Sequence, residues 1–415
     1  MHGPDGIARQ DPPALGEPIL RWSSRTNTLA GIEAALAQVW TSTSLTTTGA
    51  DGAPERRVAA RTSVLNLVVI ARQPELGEHA GSVIRMLTGR HPSRTIIVSS
   101  ADPDGPPWLD ARVQAECVLP RADAPETCAE FIDLVAGGET GRHVAAIVAP
   151  LLIHDLPVTL WWPGDPPLAS APALDLLGMA DRLVVDGAHW SGDGLDRLRA
   201  LATIVNDHDL ARGGLAVSDF AMLRQSRWRE AIASSFDRPE LRPFLADIRS
   251  ITVRYAKGPG AGAADTNVIK PLYHVAWLAS RLGMEISESL AGTPGGPEGV
   301  AGPAPDGGRR GTLLAGRRRV AIALVPVAST MPPGTTLAVQ IDARRLRESL
   351  SVAVTAEAEA VIVRTAVNGR DLPTRRFMAP RRTEVELLAE TIESVGRDPV
   401  AVAALLMASA LAGPS

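Results

Sequence analysis

Lysine is nearly missing from this chain: of 42 basic residues, all but Lys257 and Lys270 are arginine. The formal charge of -4 leaves no basic excess to neutralise a phosphate backbone, which excludes nucleic acid as a general partner. Cysteine is equally scarce. Two thiols in 415 residues cannot staple a secreted scaffold, and they fit a reducing compartment. Long apolar runs are absent as well: residues 144–153 are interrupted by Pro150, and residues 400–411 are alanine-rich and too short to cross a bilayer. The first twenty residues are polar and rich in proline and glycine, without the apolar stretch of a secretory signal. These absences predict a cytoplasmic protein with no membrane partner.

Catalytic signatures are missing too. There is no glycine-rich phosphate loop ending in GK[ST], no HExxH, no CxxC, no GxSxG and no GxGxxG after a strand. Beyond His2, the histidines at 79, 91, 143, 154, 189, 208 and 274 follow no metal-ligand spacing. Nothing assembles a nucleophile, a base and an orienting group. The expectation is therefore no catalytic residue, no cofactor and no metal.

What is present is a foldable chain, with 45% hydrophobic and 21% charged residues, too long for a single core. Ile32, Leu36, Val39 and Trp40 recur at helical spacing, predicting a helix over 29–41 capped by Asn27 or Thr28. The run 64–70 reads as a strand covered on both faces, followed by an amphipathic helix from Glu75 to Gly89 and a strand at 95–99. That order implies a crossover between parallel neighbours. An outer strand at 110–119, helices at 124–135 and 142–154, and a strand at 157–162 follow. Further along, the pattern predicts a helix near 171–179, a strand at 182–185 and a helix at 194–210. Ser218 is expected to cap a helix reaching Ser235, with a short helix at 239–245, a strand at 248–255 and a helix at 268–281. The runs 312–326, 335–342, 350–356 and 359–366 read as strands, and 383–395 and 399–411 as helices. The alternation predicts an α/β protein of two packed domains with mostly parallel sheets, the second completed by the C-terminal strands and two terminal helices. We place a polar leader and helix in 1–50, an N-terminal α/β domain in 51–167 and a C-terminal one in 168–415. Within the last, the Gly/Pro-rich segment 288–311 is expected to be a flexible loop.

Three clusters stand out. The RHPSR turn gathers Arg90, His91, Ser93 and Arg94 as a candidate anion site, since guanidinium groups bind phosphate bidentately. The plainer alternative is a proline turn with solvated charges. Trp161 and Trp162 are neighbours on a strand and point to opposite faces, so one fills the core and the other needs a second layer or a partner. In the segment after Ser218, Arg224 and Arg227 fall inside an apolar face with Trp228. They must meet a partner or pair internally with acids such as Asp219, Glu230, Asp237 or Asp247. Cys117 and Cys128 read as inert structural thiols, the first on a strand and the second near a helix start.

The wording of RTSVLNLVVIARQPELGEHAGSVIRMLTGRHPSRTIIV, HDLPVTLWWPGDPP and SDFAMLRQSRWREAIASSFDRPELRPFLADIRSITVRYA resembles the OpcA family, the assembly proteins or subunits of glucose-6-phosphate dehydrogenase. The resemblance spans roughly residues 55–256. It implies a non-catalytic assembly or regulatory subunit that binds the dehydrogenase, with glucose 6-phosphate as a candidate effector, and supports NADPH supply through the pentose phosphate pathway. The side chains proposed for that contact are Trp161, Trp162, Arg224, Arg227 and Trp228. The alternative is a sugar-phosphate-binding enzyme or sensor with an arginine-rich anion site. A scaffold that holds several pathway enzymes together is a third reading.

Overall fold

The computed structural model describes residues 19–40, 47–48, 54–55, 63–102, 104–118, 127–207, 214–258, 266–292 and 308–414. The chain divides into two compact units, residues 1–159 and 160–415.

Unit 1 opens with β1 (Ile19–Thr26) and α1 (Leu29–Val39), which Thr28 caps by accepting from the Gly31 amide. A two-residue ladder joins β2 (Thr47–Thr48) to β3 (Pro54–Glu55). Then come β4 (Leu65–Ala71), α2 (Pro74–Arg85) and β5 (Ser93–Ala101), with β4 and β5 parallel as the strand, helix, strand order requires. β4 is buried along its whole length, which is why it reads as one apolar run. α2 stops at Arg85, earlier than the expected Gly89, and residues 86–90 continue as turns. β6 (Trp108–Val118) and β7 (Thr127–Gly137) follow, and the strand order of the unit is β1-β6-β7-β5-β4.

β7 corrects the helix expected at 124–135. Its residues include good helix formers, yet the strand lies between β5, to which it is parallel, and β6, to which it is antiparallel, so both its edges are paired and most of its side chains are buried. Tertiary burial overrides local propensity here. The same correction moves Cys128 from a helix start to a strand position directly opposite Cys117, with Cα atoms 4.0 Å apart and the sulfurs joined in a disulfide. The two are a bonded cross-strand pair, not free thiols, so they give no sign of a reducing compartment. The helix expected at 142–154 is broken into α3 (Gly138–Arg142), α4 (Val144–Val148) and a 3-10 turn at Ala149–Leu151, where Pro150 lacks an amide hydrogen.

β8 (Val158–Trp162) carries the chain from one unit into the next. Unit 2 continues with α5 (Ala171–Leu177), β9 (Arg182–Val185), α6 (Leu195–Asn206) and β10 (Ala216–Asp219), in strand order β8-β9-β10. The expected helix from Ser218 begins two residues later, because Ser218 belongs to β10 and Asp219 caps the turn. Two short helices, α7 (Phe220–Leu223) and α8 (Ser226–Ser234), replace one long one. Then follow β11 (Ile248–Lys257) and α9 (Ile269–Arg281).

The second sheet is built around β11. It adds β12 (Glu285–Gly292), β13 (Arg309–Ala315), β14 (Arg318–Ala328), β15 (Thr336–Arg345), β16 (Glu348–Ala356), β17 (Ala360–Val367), β18 (Arg370–Asp371) and β19 (Arg375–Met378). The order is β12-β13-β14-β11-β15-β16-β17-β18, with β19 on β17. The run expected as one strand at 312–326 is a hairpin turning at Gly316. Hairpin connections make this sheet mixed: β11 pairs parallel with β14, and the other ladders are antiparallel. Residues 293–307, most of the expected loop 288–311, lie outside the described residues, while its two ends extend the strands β12 and β13. α10 (Glu384–Glu393) starts on a capping box formed by Thr383 and Glu386, and α11 (Pro399–Leu411) packs against α9 and α6. The C-terminal strands and helices thus complete the second unit.

Candidate functional site

In unit 1 the RHPSR segment straddles a turn and the first residues of β5. Ser93 and Arg94 are buried; the Ser93 hydroxyl lies 2.8 Å from that of Thr95. Arg94 donates through Nε to Glu130 at 2.6 Å and through Nη1 to the Leu151 carbonyl at 2.9 Å. Trp40 donates to the other Glu130 oxygen at 2.5 Å. Arg94 is therefore a structural cation held by an internal carboxylate, which removes it from the expected anion site. Arg90 is exposed and His91 half-buried at the turn itself.

In unit 2 both tryptophans of β8 are interior, at 1% and 3% exposure for Trp161 and Trp162. The ring of Trp161 leans on Phe220 with centroids 6.0 Å apart. A second covered face, not an open surface, accounts for the adjacent rings.

The remaining candidates converge. β9 and β10 run parallel with Val185 opposite Asp219, so the residues after both strands emerge at the same edge. Ligands of open α/β sheets gather at such carboxyl ends. Asp186 follows β9, and Arg224 donates through Nη1 to both its oxygens at 2.7 Å. His189 Nδ1 lies 3.0 Å from Asp186 Oδ2. Burial pulls the Asp186 carboxyl upward, but the His189 hydrogen bond and the Arg224 charge outweigh it and hold it below the ordinary carboxylate range. The same hydrogen bond raises His189. Asp186, His189 and Glu384 bring ligand atoms within 4.8 Å of one another, yet the guanidinium already on Asp186 supplies the positive charge a metal would.

Beneath them lies a second carboxylate. Asp219 accepts from the Gly187 and Ala221 amides at 2.9 and 2.8 Å and from the Tyr273 hydroxyl at 2.7 Å. Burial first, then the neighbouring Asp186 charge, push Asp219 up to about 6. Gly187 is required by this packing, since a Cβ there would sit 2.7 Å from Asp219 Oδ2 and 2.8 Å from Ile269 Cγ2. Asn267 ties the same turn to α9 by donating to the Gly187 and Trp190 carbonyls at 2.8 and 3.0 Å. Lys270, the second residue of α9, is brought down to about 8 by burial and by the Arg224 charge.

Of these groups His189, Arg224 and Lys270 border a cleft of about 370 Å³, whose walls also include Arg227, Trp228, Met331 and Arg381. Arg227 is exposed and pairs with Glu230 at 2.7 Å, one of the internal acids expected from the sequence. Trp228 is half-buried with its ring 5.4 Å from that of His274. The sequence reading found Arg224, Arg227 and Trp228. It missed Asp186, Lys270, Tyr273 and Arg381, which lie on separate elements and follow no linear spacing; the rarity of lysine was the one available signal for Lys270.

Two family models match the chain in succession: the glucose-6-phosphate dehydrogenase subunit N-terminal domain over residues 84–203 and the C-terminal domain over residues 215–405. Two curated relatives are named OxPP cycle protein OpcA. The one from Synechocystis is 28% identical over 189 residues, 45% of this chain and 36% of the relative. The one from Synechococcus elongatus is 26% identical over 178 residues, 43% of this chain and 37% of the relative. The chain thus spans about a third of the length of the curated relatives it matches. Among solved structures, a transcriptional regulator, Gal80p, from Kluyveromyces lactis aligns with a TM-score of 0.43 at 10% identity, over 84% of this chain and 87% of its own. A dehydrogenase from Clostridium difficile aligns with a TM-score of 0.40 at 9% identity, over 84% and 97%. At such overlaps neither likeness transfers an activity.

Proposed function

The chain belongs to the OpcA family of glucose-6-phosphate dehydrogenase subunits, and from that premise we propose that it is a non-catalytic partner that binds the dehydrogenase and favours its active assembly. The observation that carries this reading is the succession of both subunit domains, N-terminal then C-terminal, along one chain. The role places the protein in the cytoplasm, at the entry to the oxidative pentose phosphate pathway, where it supports NADPH supply. To activate, it must bind the active arrangement of the dehydrogenase more tightly than the inactive one, because a partner with equal affinity for both shifts nothing. On the surface of unit 2, the exposed Arg227 and the half-buried Trp228 are the side chains we assign to that contact, a charged and an aromatic residue of the kind enriched at interface centres.

The test is the specific activity and oligomeric mass of the same organism's glucose-6-phosphate dehydrogenase, with and without this protein, across glucose 6-phosphate concentrations. A stable complex with raised activity or a lowered half-saturation is expected. Two folded proteins that neither associate nor change kinetics would sink the proposal. A complex with unchanged kinetics would leave only a scaffold.

A further inference from the structure

The cleft of unit 2 has an uncompensated charge. Arg224, Arg227, Lys270, Arg381 and Arg382 line it, against the single acid Glu357. Three of the five cations are answered: Arg224 by Asp186, Arg227 by Glu230 and Arg382 by Glu390. Two are not. Among the described residues the Lys270 ammonium has no hydrogen-bond or ion-pair partner, although its helix is fastened there by Gln225, which donates to the Lys270 carbonyl at 2.8 Å. Arg381 makes one weak contact, to the Met331 sulfur at 3.9 Å. Arg224 and Arg381 both repel the Lys270 ammonium, and the Asp186 charge, which attracts it, offsets them only in part. Gathering like charges in a partly desolvated cleft costs free energy, and an anion seated between them removes that cost.

We infer that this cleft is a binding site for a small organic phosphate, its phosphoryl group held by Lys270 and Arg381 and its uncharged body lying against Trp228 and Met331. The size suits a small occupant. A cavity of about 370 Å³ falls within the range of small-ligand sites and is small for a folded segment of another protein. The chemistry fits as well, since a guanidinium fork beside an ammonium matches a tetrahedral oxyanion. The half-buried Trp228 and the nearby Pro332 and Pro333 give the body of the ligand a stiff apolar wall. The inference rests on the cleft alone and stands whether or not the chain binds a dehydrogenase.

The experiment is calorimetric titration of the full chain at neutral pH with inorganic phosphate, with glucose 6-phosphate as a phosphate monoester, and with glucose as the uncharged control. The monoester is expected to bind saturably and more tightly than phosphate, and glucose not at all. Lys270→Met and Arg381→Gln should each weaken binding by at least about tenfold, the loss of one charge-assisted hydrogen bond. Arg381 is exposed, so its replacement leaves folding intact and keeps the test decisive if the Lys270 variant is unstable. Lys270→Arg gives a second readout. The parent's affinity should fall above pH 8 as the ammonium loses its proton amid Asp186, His189, Arg224, Arg381, Arg382 and Glu357, whereas the arginine variant should hold its affinity to pH 9. Absence of saturable heat up to about 10 mM monoester, or equal affinity in parent and both charge-removal variants, overturns the inference. Saturable binding of a poly-glutamate peptide without binding of either phosphate overturns it in favour of an acidic protein segment.

Discussion

Arg94 on β5 and Glu130 on β7 sit at the same register position of a parallel ladder and are joined at 2.6 Å inside unit 1, with 7% and 0% of each residue exposed. Replacing Arg94 leaves the Glu130 carboxylate without its cation in a low-dielectric interior, with the Trp40 hydrogen bond still in place. Arg94→Met is expected to lower unfolding free energy by about 3–5 kcal/mol. Arg94→Met combined with Glu130→Gln should recover part of that loss, because no buried carboxylate is then left without a countercharge. Urea unfolding of the two variants measures this; equal losses in single and double variants would show that the pair is not coupled.

Asp219 gives a pH signature. Its carboxyl is raised to about 6, so the folded chain favours the protonated form. The stability it contributes is full below its ordinary value near pH 4, declines as pH rises and is lost above about 6, by roughly 3 kcal/mol in all. Asp219→Asn keeps an oxygen for the Gly187 and Ala221 amides and cannot ionise. The variant should gain stability relative to the parent as pH rises from 4 to 6, and parallel stability profiles would count against this account.

His274 titrates in the opposite sense. Neither ring nitrogen has a hydrogen-bond partner among the described residues, and burial, with Arg229 and Lys270 adding to it, pulls the imidazole down to about 3. The folded chain favours the neutral ring, so its contribution is present above the ordinary histidine range and is lost as pH falls toward 3. His274→Leu removes two buried unpaired polar atoms and should stabilise the protein at pH 7 by about 1 kcal/mol. The advantage should widen by about 2 kcal/mol at pH 5. Thermal melts at both pH values decide it, and an unchanged gap rules out a buried neutral imidazole.

How far the sequence leads depends on where the stabilising contact lies. β4, β9, α9 and α11 are legible because their own patterns carry the signal: a continuous apolar run, or a helical stripe with a proline at its start. β7 is not, since Cys128, Ala129, Glu130 and Leu134 satisfy a helix equally well until β5 and β6 enclose them. Misplacing β7 also concealed the Cys117–Cys128 bond and the carboxylate that holds Arg94. In the cleft, Arg224 was legible as a charge inside an apolar face, but its partner Asp186 is 38 residues earlier and becomes a neighbour only through the β9 and β10 pairing. Chemistry made by two strand ends has no linear motif.

The position of β11 has a bearing on how the chain reaches this state. It spans residues 248–257, while the strands that flank it begin at residues 318 and 336. During synthesis β11 leaves the ribosome with both hydrogen-bonding edges open, and tens of residues must be added before either is closed. Pairings of that sequence separation are slow, and an open strand edge is a template for association with other chains. Unit 2 is therefore expected to fold late and to depend on chaperone protection until β14 and β15 arrive.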